Sequence, residues 1–593
     1  MTHTFELGNA DFLLDGRPFQ IRAGELHPSR IPHEYWRHRI RMAKAIGLNA
    51  ISSYVFWNYH EAAEGVFDFK TGNHDLRGFA ELIAEEGMWW LLRPGPYCCG
   101  EWDLGGLPCW LLRHPDVRLR CQDPWYTQAA ERYCRALADE MRSYQVTEGG
   151  PILMLQIENE YGSYANDRRH LQWLSQLWRS LGMRVPFYTA DGAVPSMLEA
   201  GTLPGSAVGL DPGLQAEQWE LAQKMNPGVP VFSSETYPGW LTHWGEPMAL
   251  SQDLSELLRF YMETRRSFSL YMFHGGTNFG FTAGANTGAV DGAKAEMSTA
   301  FLPTITTYDY AAPVNEQGRP TAAYTAMRNL MAAYAPTGKP LPRVPEPISA
   351  QEIPAVPLVR WTSVWEQLPT PIPMVQPQPF EMLGQNQGLM LYRTRLIGHK
   401  DGTLFLRELH DYAIVYVDGH LIGTIDRRLG SNSIELPKAN SPVPVLDILV
   451  EGMGHVNFAE YMVDRKGITE RAVLNTMTLM NWEVFPLPLA EDWVTTLCQT
   501  SSVSAEQKDK PGVFFRGEFI LATMADTYLD LSGYQKGYVW VNGHNLGRYW
   551  NIGPQQRLFC PAPWLRQGMN SIMVLDLLQT EADMVCGKET LFG

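Results

Sequence analysis

Over the first 335 residues the apolar positions come in short runs, each followed by a polar loop and then by a stretch of helical period. The runs at Gln20–Gly24, Ala50–Tyr54, Trp89–Arg93, Ile152–Ile157, Pro186–Thr189, Ala207–Leu210, Val231–Ser234 and Ser269–Phe273 predict strands. Tyr35–Ile46 and Leu76–Glu85 are amphipathic stretches between them. Strands alternating with helices predict an α/β fold, a (β/α)8 TIM barrel over residues 1–335. A doubly wound sheet is the alternative, although no Gly-x-Gly-x-x-Gly turn follows a first strand.

The pattern then changes twice. Residues 336–375 are rich in proline, as in "LPTPIPMVQPQP". Proline lacks the N–H that a helix interior or a central strand needs, so this stretch predicts an extended connector wrapping a surface. Beyond it the chain reads as short alternating strands with an internal repeat. "LYRTRL" leads to "IVYVDGHLIGT", and "FFRGEF" leads to "YVWVNGHNLGR"; similar phrases, "IELP" and "LFCP", follow in the same order. Asp418-Gly419 and Asn542-Gly543 are hairpin-turn signals. Two jelly-roll-like β-sandwich domains are predicted, over 376–485 and 486–593.

Net charge is −16, which opposes binding to nucleic acid or to an anionic membrane surface. No apolar run is long enough to span a bilayer. The eight cysteines contain no Cys-x-x-Cys pair, which argues against a zinc site. The N-terminus has no basic region followed by an apolar run, so the expectation is a cytoplasmic protein with reduced thiols.

The chemistry gathers where the predicted strands end. In a (β/α)8 barrel the C-terminal strand ends form the catalytic face. Glu25 and His27, Tyr54, Arg93, Asn159 and Glu160, Glu235 and Tyr237, and His274 all fall there. Two carboxylates across such a rim suit glycoside hydrolysis, one protonating the leaving oxygen and the other attacking the anomeric carbon or activating water. Metal catalysis and a Ser–His–Asp triad are the rival uses. Neither a His-Glu-x-x-His spacing nor a Gly-x-Ser-x-Gly elbow is present. His27, His60 and His274 are read as hydrogen-bond fillers.

"LRPGPYCCGEWDLGGLPCWLL", "LQIENEYGSY", "SSETYPGWLTHWGE", "MFHGGTNFGF" and "TTYDYAAP" together resemble glycoside hydrolase family 35, the β-galactosidases, in its bacterial three-domain type. The resemblance implies a retaining exo-β-galactosidase, acting by double displacement on terminal non-reducing β-D-galactosyl residues of oligosaccharides, without cofactor or metal, and a galactose-binding-like second sandwich over 486–593. It implies Glu160 as general acid/base and Glu235 as nucleophile. Tyr54, Glu101, Asn159 and Tyr310 are then galactose contacts, the backbone at Cys99 and Gly100 touches the sugar, and Tyr237 is the nearest ring to Glu235. Glu158 is assigned a supporting role. Trp240 and Trp244, together with Phe458 in "GHVNFAEY", are expected to line the open side for the second sugar and to favour β-1,3 linkages. Packing between domains is the competing reading for the two tryptophans. An exo-β-glucosaminidase of the same mechanism and a non-catalytic carbohydrate-binding protein remain alternatives, and a homodimer is left open.

Overall fold

The computed structural model describes residues 2–287, 301–335, 339–497 and 509–592. Eight parallel strands close a barrel: β1 (Arg22–Leu26), β2 (Ala50–Tyr54), β3 (Trp89–Arg93), β4 (Ile152–Gln156), β5 (Phe187–Asp191), β6 (Ala207–Leu210), β7 (Val231–Thr236) and β8 (Phe268–His274), with β8 pairing back onto β1. The closed parallel ring excludes the doubly wound sheet. β1, β5, β7 and β8 run further toward the catalytic face than their apolar runs predict. Glu25, Asp191 and Glu235 are therefore strand residues. Polar side chains can remain in a buried strand end when they find partners: Glu25 and Glu235 accept from Arg93 inside the barrel, and Asp191 accepts from Gly162 N of the segment after β4.

The helix Leu76–Glu85 forms where its period predicts. Asp75 caps it, accepting from Gly78 N at 2.9 Å. It buries Leu76, Phe79, Ala80 and Ile83, one stripe at helical spacing. Phe79 packs edge-on to Trp36 and to Trp90 of β3, so this contact ties two helices to the barrel wall. Removing its ring costs about 3–5 kcal/mol.

The first sandwich has a six-stranded sheet in the order Ile372–Met374, Trp482–Leu487, Leu389–Arg395, Val445–Glu451, Tyr412–Val417, His420–Asp426. Its four-stranded partner contains Gly402–His410 and Gly467–Leu474. Alternate residues of the larger sheet serve two cores. Met390, Tyr392, Val415 and Ile448 face the domain's own interior. Leu389, Leu391, Ile414 and Leu449 join a second cluster with Phe514, Trp540 and Leu575 of the C-terminal sandwich. Burial on both faces explains why these strands read as continuous apolar runs.

The repeat is a repeat of topology. Leu389–Arg395, Val445–Glu451, Tyr412–Val417 and His420–Asp426 are neighbours in that order, and Val513–Leu521, Gly568–Asp576, Lys536–Val541 and His544–Trp550 are neighbours in the same order. Asp418 and Gly419 have φ of 47° and 80°, and Asn542 and Gly543 have 51° and 94°. Both central residues left-handed is the turn that matches strand twist in a two-residue hairpin.

The proline-rich stretch does more than wrap a surface. Ile353–Pro357 and Val359–Ser363 pair as edge strands with the two sheets of the C-terminal sandwich, and Ile372–Met374 forms the edge of the first. Edge strands tolerate proline because their outer N–H groups have no ladder to serve. No described helix is long and apolar enough to cross a membrane.

Candidate active site

β4 ends at Gln156, and the next four residues make the centre of the site. Ile157 N still bonds Tyr188 O and Glu160 N bonds Ala190 O, each at 2.9 Å, so β5 guides the chain through the turn. Glu158 and Glu160 adopt φ of 60° and 45°, as do Cys99 (70°), Glu101 (47°) and Tyr310 (60°) around them. Left-handed backbone at non-glycine residues is uncommon and gathers where side chains must be aimed.

The two acids of Glu158-Asn159-Glu160 are aimed apart. Glu158 points away from the cavity into a buried pair with Arg120, whose Nη2 and Nε donate at 2.8 and 3.2 Å. Burial raises the Glu158 pKa, but Arg120 and His170 outweigh it, so the carboxyl is held below its usual range. Glu160 has no such cation. Burial, then the nearby Glu235 carboxylate, push it up to about 8.

Glu235 ends β7 and is met by three donors. Arg93 Nη2 donates at 2.5 Å and Tyr54 OH at 3.0 Å to Oε1, and Tyr237 OH donates at 3.0 Å to Oε2. Arg93 is the hub of the floor, donating also to Glu25 (3.2 Å), Gln156 (2.5 Å) and Asn159 (2.9 Å). Asn159 Oδ1 accepts from Arg93 and from Gln156 (2.8 Å) and lies 3.1 Å from the Tyr54 hydroxyl, which leaves its Nδ2 to face Glu160 Oε2 at 3.3 Å. Two N–H donors on one oxygen fix the amide's orientation. The buried histidines behave as fillers. His27 lies between Glu25 and Arg30, and burial lowers it to about 4. His60 and His274 bond backbone carbonyls.

These groups surround a cavity of about 160 Å³, the scale of one monosaccharide. Tyr54, Cys99, Gly100, Glu101, Glu160, Glu235, Tyr237, Trp240, Tyr310 and Phe458 line it. Asn159 is 1% exposed and lies beneath, bonded to Glu160. Trp240 is 50% exposed at the rim, edge-on to Tyr237 with centroids 5.1 Å apart.

Trp244 is not brought to the cavity. It is 2% exposed and packs with Phe301, Ile305 and Trp550 at the junction with the C-terminal sandwich. Backbone explains the difference: Trp244 N bonds Pro303 O and Gly245 N bonds Gly553 O, which turns this indole inward between domains.

Tyr271, Leu241 and Asn286 also line the cavity and went unread. Tyr271 is an inward residue of β8, hidden in the apolar run "LYMF". Leu241 sits in the same "GWLTHW" phrase as Trp240, where a lone leucine carries no polar or aromatic signal of a sugar contact. Asn286 has no local signal, since only tertiary pairing of Ala285–Thr287 with Phe301–Pro303 brings it there.

Asp103, Cys109 and His455 are the described residues whose types and convergence could hold a metal. Their contacts are hydrogen bonds: His455 Nδ1 lies 2.8 Å from Asp103 Oδ1, and Cys109 Sγ lies 3.1 Å from Asp103 Oδ2. Burial, with the neighbouring Asp103, pushes the Cys109 thiol up to about 12.

A barrel with paired carboxylates at the ends of β4 and β7, facing a sugar-sized cavity walled by tyrosines, defines the class: a glycoside hydrolase. Residues 11–334 match the glycosyl hydrolases family 35, residues 377–488 the first all-β domain of β-galactosidase, and residues 512–570 its galactose-binding domain. The chain is similar to a β-galactosidase of Xanthomonas manihotis, 38% identical over 94% of this chain and 91% of that one. It is also similar to β-galactosidase of Canis lupus familiaris (36% identical, 97% and 88%) and to β-galactosidase 17 of Arabidopsis thaliana (36%, 99% and 90%). The chain belongs to glycosyl hydrolase family 35.

Proposed function

We propose that this chain is a retaining exo-β-galactosidase that removes terminal non-reducing β-D-galactosyl residues by double displacement. The observation that carries the reading is the contrast between its two facing carboxylates. Glu160 is buried with no paired cation among the described residues, and burial and the nearby Glu235 push its pKa up to about 8, while Glu235 receives three donors suited to an anion. A protonated acid and an ionised nucleophile are the starting states that retaining hydrolysis requires.

In this reading galactose lies over Arg93 and Tyr54, with Asn159 Nδ2 reaching its 2-hydroxyl. Glu235 attacks the anomeric carbon while Glu160 protonates the departing oxygen. Glu160, now a carboxylate, then takes a proton from the water that attacks the galactosyl–Glu235 ester, and both residues are restored. In each displacement the attacking oxygen supplies the electron pair of the new bond to the anomeric carbon and the pair of the broken bond leaves with the departing oxygen, so the carbon's oxidation state does not change. Glu101, bonded to Tyr308 and raised by burial, offers a second polar edge to the ring. The reading includes a preference for β-1,3 linkages, decided at the rim where Trp240 and Phe458 stand. It also includes a cytoplasmic setting, which the seven described cysteines, all free, support.

The test is chemical rescue. Glu235→Gly should lose several orders of magnitude in kcat yet stay folded, and azide should restore turnover of an aryl β-galactoside with an α-galactosyl azide as product. Near wild-type activity without azide would exclude Glu235 as nucleophile. A panel of aryl glycosides tests the sugar, and galactosyl disaccharides of different linkage test the preference.

A further inference from the structure

The cavity's outer wall is not made by the barrel alone. Phe458 reaches it from the first sandwich, on the segment between Val445–Glu451 and Gly467–Leu474. Backbone contacts lay this segment on the barrel loops. Ala285 N donates to His455 O at 3.0 Å, Asn457 N donates back to Ala285 O at 2.9 Å, and Tyr97 OH donates to Asn457 O at 2.7 Å. Gly454 permits the approach: a Cβ there would lie 2.2 Å from Ala283 O, and its φ is 96°.

At the root of the segment, His455 is gripped on both ring nitrogens. Nδ1 is 2.8 Å from Asp103 Oδ1 and Nε2 is 2.6 Å from Glu381 Oε1, while its backbone N also donates to Asp103 Oδ1 at 2.7 Å. Asp103 lies on the barrel loop that carries Glu101 into the cavity, and Glu381 belongs to the sandwich. An imidazole can donate to two carboxylates at once only as the imidazolium. Glu381 in turn accepts from Lys466 N at 3.0 Å, so the grip extends to the far end of the same segment.

We propose that His455 is a positioning residue for recognition of the leaving group, bridging Asp103 and Glu381 so that Phe458 is held against the barrel mouth. Selectivity beyond the first sugar is then a property shared between two domains. The inference rests on the galactosidase reading, which turnover of an aryl β-galactoside by the wild type reports on its own.

The experiment measures kcat and KM on a β-galactosyl disaccharide and on an aryl β-galactoside. Wild type, His455→Gln, Phe458→Ala and the double variant are compared. Glutamine keeps one donor but cannot bridge both carboxylates. His455→Gln should raise KM for the disaccharide about fivefold or more and leave the aryl galactoside within about twofold. In the Phe458→Ala background the added loss on the disaccharide should vanish, because the residue acts through that ring. Equal losses on both substrates, unchanged KM on both, or fully additive effects in the double variant would overturn the proposal. Should His455→Gln not fold, Glu381→Gln cuts the same bridge from the sandwich side and must give the same KM split.

Discussion

Glu158 and Glu160 are the same residue type two positions apart, and their fates differ by one cation. Strand alternation would put them on one face, but the left-handed turns at both break that rule, and only Glu158 meets Arg120. The motif was legible in the sequence as a cluster of acids at a strand end. The choice of Glu160 over Glu158 came from the family resemblance and not from the residue pattern, because the pairing arginine is 38 residues away along the chain. Glu160's raised pKa makes a prediction. Its protonated form is the one the fold favours, so the stability it contributes is fully present below 4.5 and is lost as pH rises through about 8. Activity follows the same proton: kcat/KM should fall with an alkaline limb near pH 8. Glu160→Gln should lower disaccharide turnover by roughly 10²–10⁴-fold and remove that limb for a substrate whose leaving group needs no protonation. An alkaline limb unchanged in the variant would assign the titration to another group.

At the scale of elements, the barrel strands were readable from their apolar runs, and β2, β3 and β6 end where predicted, but the C-terminal ends of β1, β5, β7 and β8 were not readable. β7 was expected to stop at Ser234 and includes Glu235 and Thr236, since Arg93 and Tyr54 satisfy the polar end inside the barrel. The loop after β7 shows the complementary failure. Two tryptophans four residues apart look alike in sequence, yet Trp240 stands at the rim and Trp244 is buried between domains. Their variants should therefore separate. Trp240→Ala should lower kcat/KM for a disaccharide more than for an aryl galactoside, with little change in Tm. Trp244→Ala should cost about 3–5 kcal/mol of stability, seen as a fall in Tm, with the ratio between the two substrates unchanged. A shifted substrate ratio in Trp244→Ala would return that residue to the sugar site.

The whole molecule holds its parts together through buried polar contacts as well as apolar ones. Glu451 of the first sandwich accepts from Lys536, from Arg548 Nε at 2.8 Å and from Tyr538 at 2.7 Å, all three of the second. Burial alone would raise Glu451, but these cations bring it down to about 2. Taking one partner away leaves a buried charge short of compensation. Lys536→Met should cost about 3–5 kcal/mol in denaturant unfolding, while KM for an aryl galactoside stays at its wild-type value. The internal repeat, with its two left-handed hairpin turns, was visible in the sequence because turn chemistry is local. The edge strands within the proline-rich stretch were not, because their partners lie more than a hundred residues downstream.

The central claim is that Glu235, opposed by a protonated Glu160, carries the galactosyl group between two displacements. It is tested most directly by incubating the enzyme with an activated 2-deoxy-2-fluoro-β-galactoside, whose fluorine slows release of the intermediate, and sequencing the labelled peptide by mass spectrometry. One equivalent of 2-fluorogalactosyl is expected on the peptide containing Ser234-Glu235-Thr236, with activity lost in step. A label on Glu160, Glu101 or any other carboxylate, or full inactivation with no covalent sugar, would contradict it.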